Sequence, residues 1–124
     1  MIEDIASLVG DRQIKVLSVH NFCPIPEGIE RRSALPDYYS LASLREEERQ
    51  TSIRYTKRTI DTASRLRAKA VVLHTGRVEI PDKTKDLIEC YQRGLKGTRE
   101  FRQLQSQVIK EREENAKPYF ENTL

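Results

Sequence analysis

A chain of 124 residues is long enough for one domain with a modest core, yet about half the roughly 250 residues of a closed eight-stranded α/β barrel. Hydrophobic residues make up 37% and charged residues 33%, and the 22 basic and 19 acidic side chains interleave, as in Arg45-Glu46-Glu47-Glu48-Arg49. This mixture argues against a nucleic-acid-binding face. Two cysteines exclude a disulfide framework, no apolar run reaches the length of a membrane span, and Glu3 and Asp4 stand where a signal peptide would be positive, so the cytoplasm is the expected compartment.

Residues 2–10 carry Ile2, Ile5, Leu8 and Val9 at helical spacing and end at Gly10, a helix stop. Residues 13–20 read as a strand. The next two dozen residues are rich in turn formers (Asn21, Pro24, Pro26, Gly28, Pro36), a length that marks a functional or mobile connection. Ser43 and Glu46 fit a capping box that opens a helix, with Ile53, Ile60, Ala63 and Leu66 as its apolar stripe and Arg65 and Arg67 at its far end. Residues 69–74 form a second strand. Two further helices are expected, Asp82 to Gln92 and Thr98 to about Lys117, with Pro118 ending the last. The order indicates an α/β protein with parallel strands.

Both histidines of the chain close these strands: His20 ends one and His74 the other. Side chains alternate along a strand, so Val16, Ser18 and His20 share a face, as do Ala70, Val72 and His74. If the strands are parallel neighbours, both imidazoles meet at the carboxyl end, where α/β barrels keep their chemistry. Two imidazoles are not a complete metal site. Asn21, Cys23 and Glu79 are the further candidates for the rim, Cys23 because it lies three residues after His20 and Glu79 because it lies five past His74. Arg31 and Arg32 in the long loop are candidates for a phosphate contact. No side chain stands out as the catalytic acid or base.

The segments Ser18-Val19-His20-Asn21-Phe22-Cys23-Pro24 and Val71-Val72-Leu73-His74-Thr75-Gly76, with Arg49 and Ile60-Asp61-Thr62-Ala63-Ser64-Arg65-Leu66 between them, resemble the sugar phosphate isomerase/epimerase family. These are xylose isomerase-like TIM barrels, related to the apurinic endonucleases, and the resemblance covers about residues 12–80. It implies a partial (β/α)8 barrel in one domain, 1–124, incomplete at both ends, whose two strands are the second and third of eight. It also implies that His20 and His74 line the site, His74 being the metal-associated or substrate-binding one. A glycine usual near Arg67 is absent, as are the later carboxylates that hold the divalent ion (Mn, Zn or Mg).

The expected function is therefore a portion of a metal-dependent sugar or sugar phosphate isomerase/epimerase, moving a proton next to a carbonyl and inactive alone. Two alternatives are a non-catalytic interaction module that self-associates through exposed strand edges, and an apurinic endonuclease-like nuclease, against which the two histidines and mixed surface count.

Overall fold

The computed structural model describes residues 1–123. Its elements follow in the order α1 (Ile2–Gly10), β1 (Ser18–His20), a 3-10 turn (Arg31–Ser33), α2 (Glu46–Arg65), β2 (Ala70–Val72), α3 (Thr84–Gln92) and α4 (Arg99–Glu121). β1 and β2 pair in parallel with Ser18 opposite Ala70, Val19 opposite Val71 and His20 opposite Val72. The α/β architecture and the parallel pair match the expectation. The strands themselves are shorter than 13–20 and 69–74, because only three residues of each pair in register.

Shortening changes which residues face the core. Val19 is buried with Ala63 of α2 and Leu66 at its C-cap, and Ile2, Ile5, Ala6, Val16, Cys23, Ala68 and Val71 pack around them. Val16, expected on the histidine face, joins this core, while Leu17 is 62% exposed. Both precede the strand, where period-2 alternation does not govern side-chain direction. Burying Val19 and Leu66 contributes roughly 2 kcal/mol each.

α2 holds the most polar interior surface. Its buried positions are Ser52, Tyr55, Thr56, Thr59, Thr62 and Ala63, whereas Ile60 of the expected stripe is 48% exposed. The hydroxyls face the β1–α2 loop and satisfy it. Thr59 Oγ1 accepts the Cys23 N–H at 2.9 Å, Thr56 Oγ1 accepts from Asn21 Nδ2 at 3.0 Å, and Ser52 donates to the Tyr39 carbonyl at 3.2 Å. A loop this long leaves many backbone groups needing partners, and the hydroxyl stripe supplies them.

The start of α2 differs from the capping box. Arg45 is the N-cap, and no side chain caps the helix. Ser43 instead accepts the Arg45 N–H at 3.1 Å and donates to Glu48 Oε2 at 3.0 Å, while Glu48 Oε1 accepts the Ser40 N–H at 3.1 Å. Glu48 therefore clamps the loop onto the first turn. Its partial burial works toward a higher pKa, but Ser40, Ser43 and the Arg45 guanidinium hold it below the usual carboxylate range.

Three helices end alike. At α2, the Ala68 N–H reaches the Ala63 carbonyl at 2.9 Å and the Arg67 N–H reaches Ser64 at 3.0 Å, with Arg67 at φ +53°. These are the paired bonds of a Schellman motif. α1 repeats it with Arg12 at φ +58° and α3 with Gly94 at φ +74°. Gly10 is thus the last helical residue of α1, not its left-handed stop. α3 and α4 pack together, tied by Lys83 Nζ to Glu111 at 2.7 Å. α4 begins at the Thr98 N-cap as expected but runs through Pro118 to Glu121. So close to the helix end, the proline removes one N–H donor without stopping the coil.

Candidate functional site at the carboxyl ends of the strands

His20 is the last residue of β1, and His74 lies two residues past the end of β2, on the same parity as Val72. Parallel pairing in register brings the rings together. Their Nε2 atoms are 3.3 Å apart, with ring centroids 4.9 Å apart and planes at 61°. Both side chains stand on the open face of the sheet, opposite the Val19 core.

The proton arrangement follows from the partners. His20 Nδ1 lies 3.1 Å from the Asn21 carbonyl oxygen. A carbonyl only accepts, so Nδ1 carries the proton and Nε2 of neutral His20 holds a lone pair. His74 then donates its Nε2–H to that lone pair. A histidine whose Nδ1–H is held by a backbone carbonyl presents Nε2 as a ligand in a fixed orientation.

A divalent ion can be tested against this donor set. Two nitrogens on one tetrahedral ion with bonds of about 2.0–2.1 Å stand about 3.3 to 3.4 Å apart. The His20–His74 separation matches that edge, once His74 carries its proton on Nδ1. The fit stops there: no group of three or more His, Cys, Asp or Glu able to hold an ion occurs among the described residues. Two imidazole nitrogens alone fall short of a complete ligand set.

The other expected rim residues separate. Asn21 is buried, 2% exposed, beneath the pair; its N–H donates to the Val72 carbonyl at 3.0 Å and its amide to Thr56, leaving Oδ1 without a partner. It braces β1, β2 and α2 behind the histidines. Cys23 packs against the Val19–Ala63–Leu66 cluster, and burial pushes its thiol pKa up, which favours the uncharged thiol over a ligating thiolate. Glu79 is exposed on the loop after β2, and neither it nor Cys23 completes a cluster with the histidines. Arg31 and Arg32 lie in the exposed 3-10 turn, and Arg32 pairs with Glu30 at 2.7 Å.

Sequence reasoning missed the residues that hold the rim in place. Gly76, two residues past His74, sits at φ +131°, and a Cβ there would lie 2.4 Å from Ala42 Cβ and 2.8 Å from Ala42 N. The loop after β2 thus packs on the β1–α2 loop with no room for a side chain. The signal in the sequence was the Thr75-Gly76 step directly after a strand-terminal histidine, readable as a turn but not as an interlock.

A family model described as xylose isomerase-like TIM barrel matches residues 1–110, most of the chain. Comparisons with curated proteins and with solved structures return no significant match.

Proposed function

We infer the function from one premise: this chain belongs to the xylose isomerase-like TIM barrel family. Its role is to supply the His20–His74 part of a divalent-metal-dependent active site for isomerising or epimerising a small sugar or sugar phosphate. The single observation that carries this reading is the 3.3 Å approach of two imidazole nitrogens on the carboxyl rim of parallel strands. A bound divalent ion in such a site polarises carbonyl and hydroxyl oxygens of the substrate. The chain's own contribution is orientation. Asn21, through its carbonyl and its bond to Thr56, sets the His20 ring, and in-register pairing sets His74 against it. No group of three or more His, Cys, Asp or Glu able to hold an ion occurs among the described residues, so in this reading the chain is inactive alone. A cytoplasmic setting suits it, and no helix among the described residues is long and apolar enough to cross a membrane.

Titrating the chain with Zn²⁺ or Mn²⁺ by calorimetry tests this. Weak binding, abolished by His20→Ala and by His74→Ala, supports it. Tight one-to-one binding that survives both substitutions overturns it.

A second reading, self-association, has its own support. The two-stranded sheet has no further strand on either edge among the described residues, and Leu17, Val72 and Leu73, in or next to the strands, are exposed. Sedimentation as a function of concentration separates the two, since a monomer throughout removes this reading.

A further inference from the structure

We propose that the cleft lined by Tyr38, Tyr39, Arg54 and Arg77 binds the phosphate group of a small phosphate monoester. This deepens the isomerase/epimerase reading by naming its substrate class as phosphorylated, and only the identity of the rest of the ligand rests on that reading.

The cleft has a volume of about 500 Å³ and is formed by the β1–α2 loop, the first half of α2 and the loop after β2. Arg77 lies three residues beyond His74, on the loop that leaves β2. It is built rather than incidental. The Gly76 contact with Ala42 and Ser40 locks the two loops together, and Arg77 is anchored by its N–H on Ser40 Oγ at 3.4 Å and by donation to the Asp37 carbonyl at 2.6 Å. Tyr39 stacks on Tyr55 with centroids 5.9 Å apart, and Ser52 holds its carbonyl.

The charges favour an anion. Arg54 lies 5.4 Å above the Tyr55 ring and has no carboxylate within ion-pair distance among the described residues. Glu48 is already committed to Ser40, Ser43 and Arg45. Arg77 is only loosely paired, 3.8 Å from Asp37 Oδ2. Arginine forks match phosphate oxygens in planar, bidentate fashion. Burial, with Tyr38 and Tyr55 nearby, pushes the Tyr39 phenol up against the opposing pull of Arg54, so it remains a donor at neutral pH. Glu47 is the one lining acid without an ion pair among the described residues, and it works against the anion.

The test uses the intact chain without metal, with inorganic phosphate, ribose 5-phosphate and ribose as probes, followed by ³¹P and protein amide NMR. Ribose 5-phosphate and phosphate should bind with shifts centred on Tyr39, Arg54 and Arg77, and ribose should not. Arg54→Gln and Tyr38→Phe, both at exposed side chains, should weaken phosphate about tenfold or less than that for the phenol, and Glu47→Gln should tighten it. His20→Ala and His74→Ala should leave inorganic phosphate unaffected. Absence of phosphate binding, or binding indifferent to Arg54→Gln, overturns the cleft while leaving the metal titration to judge the isomerase reading on its own. A short DNA duplex that shifts the same amides at concentrations where ribose 5-phosphate does not also overturns it.

Discussion

Gly76 is where a single added methyl group would be felt most. Its Cβ would overlap both the side chain and the backbone of Ala42, and its φ of +131° already disfavours any L side chain. Gly76→Ala should therefore destabilise the chain by roughly 2 kcal/mol or more. Urea unfolding measures this, and an unchanged midpoint would show that the rim loops are not interlocked. Glu48 gives a pH-dependent counterpart. Its folded pKa is depressed, so its contribution is present above the unfolded value of about 4.3 and lost as pH falls through the lower folded value. Glu48→Gln should be less stable than the parent at pH 7, by roughly 2 kcal/mol, and the gap should close below about pH 4. A gap that persists at low pH would assign the loss to packing. The histidines were legible because period-2 alternation, counted back from each strand end, gives both the same parity. Asn21 was legible as a rim residue but not as the brace it is, since burial of an amide depends on the hydroxyls of a helix 35 positions away.

At the level of elements, α2 shows why an apolar stripe can mislead. Ile60 lies beside Thr59 on the helix, and hydrophobicity alone points the isoleucine inward. The buried residue is Thr59, because its hydroxyl both accepts the Cys23 N–H and donates to the Tyr55 carbonyl at 3.0 Å. Thr59→Val, which keeps the shape and removes the hydroxyl, should cost about 1–3 kcal/mol, more than Ile60→Ala at its half-exposed site. Thermal unfolding of both variants checks this, and the reverse order would contradict the hydroxyl-stripe account. The helix ends carry a second prediction. Arg67 and Arg12 occupy left-handed positions that Gly94 fills without strain at the end of α3. Arg67→Gly should stabilise by about 1 kcal/mol, the cost of holding a side chain in that region. Unfolding midpoints decide it, and a loss of stability would mean that the Arg67 side chain contributes more than its backbone conformation costs. The glycine that the family resemblance implies near Arg67 is absent here, and the positive φ of Arg67 is the physical reason a glycine suits that position.

For the whole molecule, the interior is as much polar as apolar. Val19, Ala63 and Leu66 form the buried cluster at the sheet, while Ser40, Ser43, Ser52, Thr56 and Thr59 are buried through hydrogen bonds. Ion pairs such as Arg32–Glu30 and Arg58–Glu27 are exposed on both sides and add little. The sheet presents its histidine face outward, and Val72 on that face is exposed. The sequence carried the α/β order and the parallel pair, since these follow from periodicity and turn chemistry, but not the strand bounds, which are Ser18–His20 and Ala70–Val72. The cleft of Tyr38, Tyr39, Arg54 and Arg77 was not legible, because it depends on how two loops distant in sequence meet.

The account rests on the two imidazoles sharing one contact at the rim, and ¹⁵N-edited NMR of the histidine rings reads this directly. It should show His20 protonated at Nδ1 and His74 at Nε2 at neutral charge, with His74→Ala shifting the His20 ring nitrogens and Zn²⁺ shifting both rings together. Ring signals of each histidine that ignore the other's replacement, or a Zn²⁺ response at only one ring, would contradict it.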